Sequence, residues 1–167
     1  MRVYLVRHAE AVDRIGTMPD SARYLTARGR VSFRETALRF RESGAAPSFL
    51  FTSPCVRAVQ TAEILSEAVR YEGTVIVAPQ LSPGFDLDGL NAVLSECPGA
   101  PEVALIGHEP DLGRLLTLLL SLSAACPMRK GAIAAVDVQD AGNRSRGVFA
   151  WLLDGGKRIS EIPGLSG

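Results

Sequence analysis

Short apolar runs alternate with amphipathic ones along this chain, and the alternation predicts strand followed by helix. Val3-Tyr4-Leu5-Val6 is a continuous β-prone run, read as a strand buried on both faces, and it leads straight into Arg7 and His8. Residues 10–24 are polar and irregular, with Gly16 and Pro19, and read as a surface loop bordering the strand end. Thr26 is the expected N-cap of a helix over 27–43, in which Phe33, Ala37 and Phe40 share a face, Glu35 can pair with Arg39, and Gly44 ends the helix. Residues 49–52 predict a second strand. Ser53 is expected to cap the next helix, with Pro54 in its first turn and Ala58, Ala62, Leu65 and Val69 as its apolar stripe.

The rhythm continues with a strand at 75–78, a loop carrying Asp86 and Asp88, and a short helix to Glu96. A fourth buried strand at 103–106 ends in Gly107-His108-Glu109-Pro110. The following helix has Pro110 near its first position and a leucine-dense stretch at 115–122, expected to pack on more than one side. Residues 131–138 and 147–153 are β-prone and separated by a turn-rich connection at 139–144, predicting a partly antiparallel extension of the sheet. From Asp154 onward the Gly/Pro-rich chain reads as coil.

This order predicts an α/β fold, and 167 residues with 47% hydrophobic content suit a single domain, 1–167, with a sizeable core. Eighteen basic residues balance eighteen acidic ones, so no net field draws the chain to nucleic acid or an anionic membrane, although a local cationic pocket fits the same balance. No basic-then-apolar leader is visible at the N-terminus. The longest nearly apolar run, 115–125, is about half of the ~20 residues that span a bilayer, and the expectation is a cytoplasmic protein. Cys55, Cys97 and Cys126 are odd in number, widely spaced and outside any zinc pattern; they read as reduced, small core residues.

The only two histidines, His8 and His108, both follow apolar strands, as does Arg7, and Arg57 lies one helical turn beyond the second strand. In an open α/β sheet this converges at the carboxyl ends of the strands, where ligands bind. A strand-terminal Arg-His pair alone is weak evidence, but four such groups at one edge are hard to explain as packing. A phosphoryl dianion needs fixed cationic donors, arginine forks match its oxygens two at a time, and a helix start adds N–H groups. A neutral imidazole is nucleophilic near pH 7 and can carry the phosphoryl group covalently, while two arginines and a second histidine steady the charge in transfer.

Three segments carry a resemblance: Leu5-Val6-Arg7-His8-Ala9-Glu10, Thr52-Ser53-Pro54-Cys55-Val56-Arg57-Ala58-Val59-Gln60-Thr61-Ala62 and Ile106-Gly107-His108-Glu109-Pro110. Together they resemble the motifs of the histidine phosphatase (phosphoglycerate mutase-like) superfamily. The short length, Leu25-Thr26-Ala27-Arg28-Gly29 and Lys130-Gly131-Ala132 resemble its small SixA-type phosphohistidine phosphatase branch. The resemblance implies a three-layer α/β/α sandwich around a mainly parallel sheet and a hydrolase without metal or cofactor. By it His8 is the nucleophile, Arg7 and Arg57 clamp the phosphoryl oxygens, and His108 donates to them. It further implies a phosphorylated protein as substrate, such as a histidine phosphotransfer domain. Ala9 departs from the glycine common at that place in the wider superfamily, which matters if the backbone there needs positive φ.

The leaving group sets the need for an acid. Alkoxides of sugar or glycerate phosphates leave poorly without a proton donor, whereas imidazole, with a conjugate-acid pKa of about 6.5, needs far less help. Asp86 and Asp88 are the candidate acids, but Asp86 is expected to cap the helix starting near Leu87. Glu10 and Glu109 beside the histidines are expected to orient or cap. A phosphohistidine phosphatase is therefore the leading reading. The alternatives are a small-molecule phosphomonoesterase using Asp86 or Asp88, and a non-catalytic phosphoprotein-binding module, which no lost motif position supports.

Overall fold

A computed structural model describes residues 1–139 and 146–162. Seven strands form one sheet: β1 (Arg2–Arg7), β2 (Phe49–Thr52), β3 (Val75–Val77), β4 (Glu102–Gly107), β5 (Ile133–Gln139), β6 (Arg146–Asp154) and β7 (Lys157–Ile159). Their order is β3-β2-β4-β1-β5-β6-β7. The first four are parallel, and β5 turns antiparallel against β1, followed by β6 and β7. The antiparallel extension agrees with the sequence expectation. β7 was not expected: it falls where coil is predicted, and the turn at Gly155 and Gly156, both at positive φ, returns the chain to pair with β6. The predicted connection at 139–144 lies outside the described residues beyond Gln139.

Helices α1 (Ala27–Glu42), α2 (Val56–Val69), α3 (Leu87–Ser95) and α4 (Asp111–Leu119) cover the two faces. Because side chains alternate along a strand, Tyr4 and Val6 of β1 join α1 and α2 in one core, and Val3 and Leu5 join α3 and α4 in the other. β4 does the same with Ala104 and Ile106 on one face and Val103 and Leu105 on the other. Three layers result, as expected. Tyr4 meets Phe40 edge-on at 4.7 Å and Trp151 at 5.8 Å, so one aromatic cluster ties α1 to both the parallel and antiparallel parts of the sheet. Each such fully buried side chain contributes about 1.5–3 kcal/mol through burial.

Local details differ from the sequence expectation at helix starts. Thr26 caps α1 as predicted, accepting from the N–H of Gly29. The residue before α2 is Cys55, without a side-chain cap, so Ser53 and Pro54 stand outside that helix and the Ser53 hydroxyl is available for another partner. Pro110 is likewise the residue before α4, joined to Glu109 by a cis peptide bond. α4 buries Leu112, Leu115, Leu116 and Leu119 on one side while Leu118 is 62% exposed, so its leucines pack on a single face. Among the described residues the three cysteines are free; Cys55 and Cys97 are buried and Cys126 half-buried. Among them, too, no helix is long and apolar enough to cross a membrane.

Candidate active site

Parallel strands end at one edge, and β1 and β4 are neighbours in register, Arg7 opposite Gly107. The residues that follow, His8 and His108, are therefore adjacent without being close in sequence: their rings lie 5.2 Å apart, inclined at 56°. The N–H of His8 donates to Gly107 O at 3.1 Å, continuing the ladder into the site. β2, next to β4, delivers Ser53, and the first turn of α2 delivers Arg57. The structure thus brings together Arg7, His8, Arg57 and His108, all four candidates from the motifs. His8, Arg57 and His108 are buried.

Hydrogen bonds fix both rings. His8 Nδ1 lies 2.7 Å from Ala9 O, an acceptor only, so Nδ1 carries the proton and Nε2 presents its lone pair. Arg57 Nε donates to that Nε2 at 3.2 Å. Ala9 itself is not at positive φ, and alanine is accommodated where glycine is common. Its N–H donates to Thr61 Oγ1 at 3.1 Å, and the Thr61 hydroxyl donates in turn to Arg57 O at 2.7 Å, tying the strand end to α2. His108 Nε2 is 2.8 Å from Ser53 Oγ, which also accepts from the N–H of Cys55 at 3.3 Å.

Among the described residues two buried side-chain nitrogens have no hydrogen-bond partner: Arg7 Nε and His108 Nδ1. Arg7 is anchored through Nη1 to Met128 O at 2.6 Å, and the N–H of Gly131, at positive φ, donates to both Arg7 O and His8 O at 3.2 Å. Buried polar groups are nearly always paired in native proteins, so these two N–H positions beside the His8 ring are donors open to a ligand oxygen. Burial, then the nearby His108 and arginine charges, holds His8 at a pKa of about 3, against the pull of the Ala9 carbonyl. Burial and Arg57 lower His108 to about 4, opposed by Asp111 and Asp20. Both rings are neutral at pH 7.

The carboxylates divide differently. Asp86 Oδ1 accepts from the N–H of Gly89 at 3.0 Å and caps α3, as expected. Asp88 lines a cleft with Met1, Arg2, Pro101 and Glu102, at the amino-terminal ends of β1 and β4 and thus at the sheet edge opposite the histidines. The structure brings neither to the rings. Glu10 accepts from Arg28 Nε at 2.8 Å and from Thr26, holding the start of α1 against the strand end. Glu109 accepts from the N–H of Met128 at 3.1 Å and so pins the segment whose carbonyl holds Arg7; burial raises its pKa.

Sequence reasoning missed two residues. Ser53 is visible only as a helix cap until the fold sets it against His108. Asp20, in the loop after β1, binds Arg57: Nη2 donates to Asp20 Oδ2 at 2.9 Å and Nη1 to Asp20 O at 2.6 Å. The only signal was that the loop leaves the strand end that carries His8.

Comparison with known proteins identifies the family. Residues 3–82 match the model of the histidine phosphatase superfamily (branch 1). An uncharacterized protein of Picosynechococcus sp. is 36% identical over 115 residues, 68% of this chain and 69% of that one. The chain belongs to the histidine phosphatase superfamily.

Within that class the likeness is to SixA. Phosphohistidine phosphatase SixA of Escherichia coli (strain K12) is 29% identical over 155 residues, 92% of this chain and 93% of that protein. The structure of the protein histidine phosphatase SixA complexed with tungstate superposes with a TM-score of 0.81 at 28% identity, covering 93% of this chain and 97% of that one.

Proposed function

We propose that this protein removes phosphoryl groups from phosphohistidine on a protein, through a phospho-His8 intermediate and without a metal. The observation that carries the reading is the pair of unpartnered buried nitrogens, Arg7 Nε and His108 Nδ1, beside a His8 whose Nε2 holds a lone pair. Nε2 attacks phosphorus as the bond to the substrate imidazole nitrogen breaks, and the substrate ring, already protonated by solvent on its other nitrogen, leaves as neutral imidazole. Water then attacks the phosphorus of phospho-His8, releasing inorganic phosphate and restoring the neutral ring. Arg7, Arg57 and His108 bind the oxygens as charge moves across them. With Ser53 donating its hydroxyl hydrogen to Nε2 of His108, the proton of that ring sits on Nδ1, where a phosphoryl oxygen can receive it as a hydrogen bond.

Leaving-group chemistry supports phosphohistidine over a sugar phosphate. With Asp86 spent on a helix cap and Asp88 at the far edge, no aspartate of the third strand's connection serves as an acid, and imidazole leaves without strong protonation. The resemblance to SixA points the same way. The test uses a histidine phosphotransfer domain radiolabelled on its histidine. The protein should release inorganic phosphate and carry a transient acid-labile label, both lost in His8→Ala. Undiminished label in His8→Ala removes the nucleophile assignment. Faster turnover of a sugar phosphate than of the phosphotransfer domain overturns the substrate class.

A further inference from the structure

Arg57 uses its guanidinium in two directions. Nε donates to His8 Nε2 at 3.2 Å, while Nη1 and Nη2 donate to the backbone oxygen and to Oδ2 of a single residue, Asp20, at 2.6 and 2.9 Å. Nη1 and Nη2 together form the end of the planar fork, whereas Nε and the second hydrogen of Nη2 form its side edge. Asp20 therefore fills the end, and the side edge is turned to the nucleophile. Asp20 is itself anchored: its Oδ1 accepts from Arg23 Nη1 at 2.9 Å, and Arg23 Nε donates to Val12 O at 2.7 Å. A line of contacts runs from the backbone of the loop through Arg23, Asp20 and Arg57 to His8.

A phosphoryl group on His8 Nε2 would present its oxygens to the side edge of Arg57. The fork is rigid and planar, so its angle there is set by whatever holds the other end. Arg57 side-chain exposure is only 5%, and Asp20 is the residue that meets its end. We propose that Asp20 is a positioning residue for phosphoryl transfer, whose two oxygens hold the end of Arg57 so that its side edge meets the migrating group. Arg23 serves it by fixing the carboxylate. The anion is not required to displace Asp20, because the two occupy different edges of the guanidinium. The turnover part of this inference rests on the proposed phosphatase reaction; the anion-binding part does not.

Asp20→Asn and Asp20→Ala separate geometry from charge. Both remove the negative charge, but asparagine keeps an oxygen for Nη2. Asp20→Asn, whose single oxygen keeps the bond from Arg57 Nη2 and gives up the one from Arg23, should fall by about threefold in kcat and should bind tungstate more tightly than Asp20→Ala. Asp20→Ala should fall below Asp20→Asn by about tenfold or more in kcat, with KM rising less, and should bind tungstate more weakly than Asp20→Asn by calorimetry. Equal behaviour of the two variants in both measurements, or tungstate binding tightened in both to the same degree, overturns the proposal. If Asp20→Ala does not fold, judged by its melting curve, Arg23→Ala takes its place: a loss in kcat and tungstate affinity supports the proposal and parental values overturn it. Should the parent protein fail to turn over phosphohistidine, the tungstate ranking alone still decides the role of Asp20.

Discussion

At the scale of single residues, the site depends on keeping two imidazoles neutral and one guanidinium aimed. Burial does the first, and a neutral His8 with its proton committed to Ala9 O keeps a lone pair on Nε2, which accepts from Arg57 Nε. The guanidinium is that of Arg57, held at its end by Asp20 and in hydrogen-bond contact with that nitrogen. Replacing Arg57 by alanine should lower kcat by about 10²-fold, as for loss of a donor to developing charge, measured by phosphate release. An unchanged rate would place Arg57 outside the reaction. Residue identity was readable before the fold was known because Arg and His immediately after apolar runs are chemically conspicuous. Asp20 and Ser53 were not readable, because aspartate and serine in a loop or before a helix have ordinary duties that look the same in sequence.

At the scale of elements, strand ends and helix starts bring the groups together, and small contacts set their angles. Thr61 in α2 joins the N–H of Ala9, after β1, to the carbonyl of Arg57 one turn earlier. Thr61→Val keeps the shape and removes the hydroxyl, leaving a buried N–H unpaired. Urea unfolding should show a loss of about 1–3 kcal/mol, accompanied by lower turnover. No loss of stability would mean that the Ala9 N–H finds another acceptor. Strands and helices were legible from apolar periodicity because both cores are continuous and the four helices each present one apolar face. Helix starts were less legible. A Ser-Pro pair reads as a cap and first turn, yet the chain here bends at Pro54 and Cys55 and the helix starts only at Val56, leaving Ser53 to meet His108.

For the whole molecule, two buried neutral histidines make stability depend on pH. Their folded pKa values, about 3 and about 4, lie below the unfolded value of about 6.5. Between those limits the unfolded chain binds protons that the folded one refuses, so stability rises with pH there and falls as pH drops from 6.5 toward 3. The urea midpoint should therefore decline over that window. His8→Asn with His108→Asn should flatten the part between pH 6.5 and pH 4.5; an unflattened decline would show that the rings are not the source. The sequence by itself determined the alternation of strand and helix, the two-faced burial of the central strands and the residue types at their ends, since these follow from local periodicity and composition. Tertiary structure alone decided which strand ends are neighbours, that Asp88 faces the opposite edge, and that Asp20 and Ser53 complete the site. Sheet order and loop return are set by long-range packing, and a hydrogen bond spanning tens of residues leaves no periodic mark on the chain.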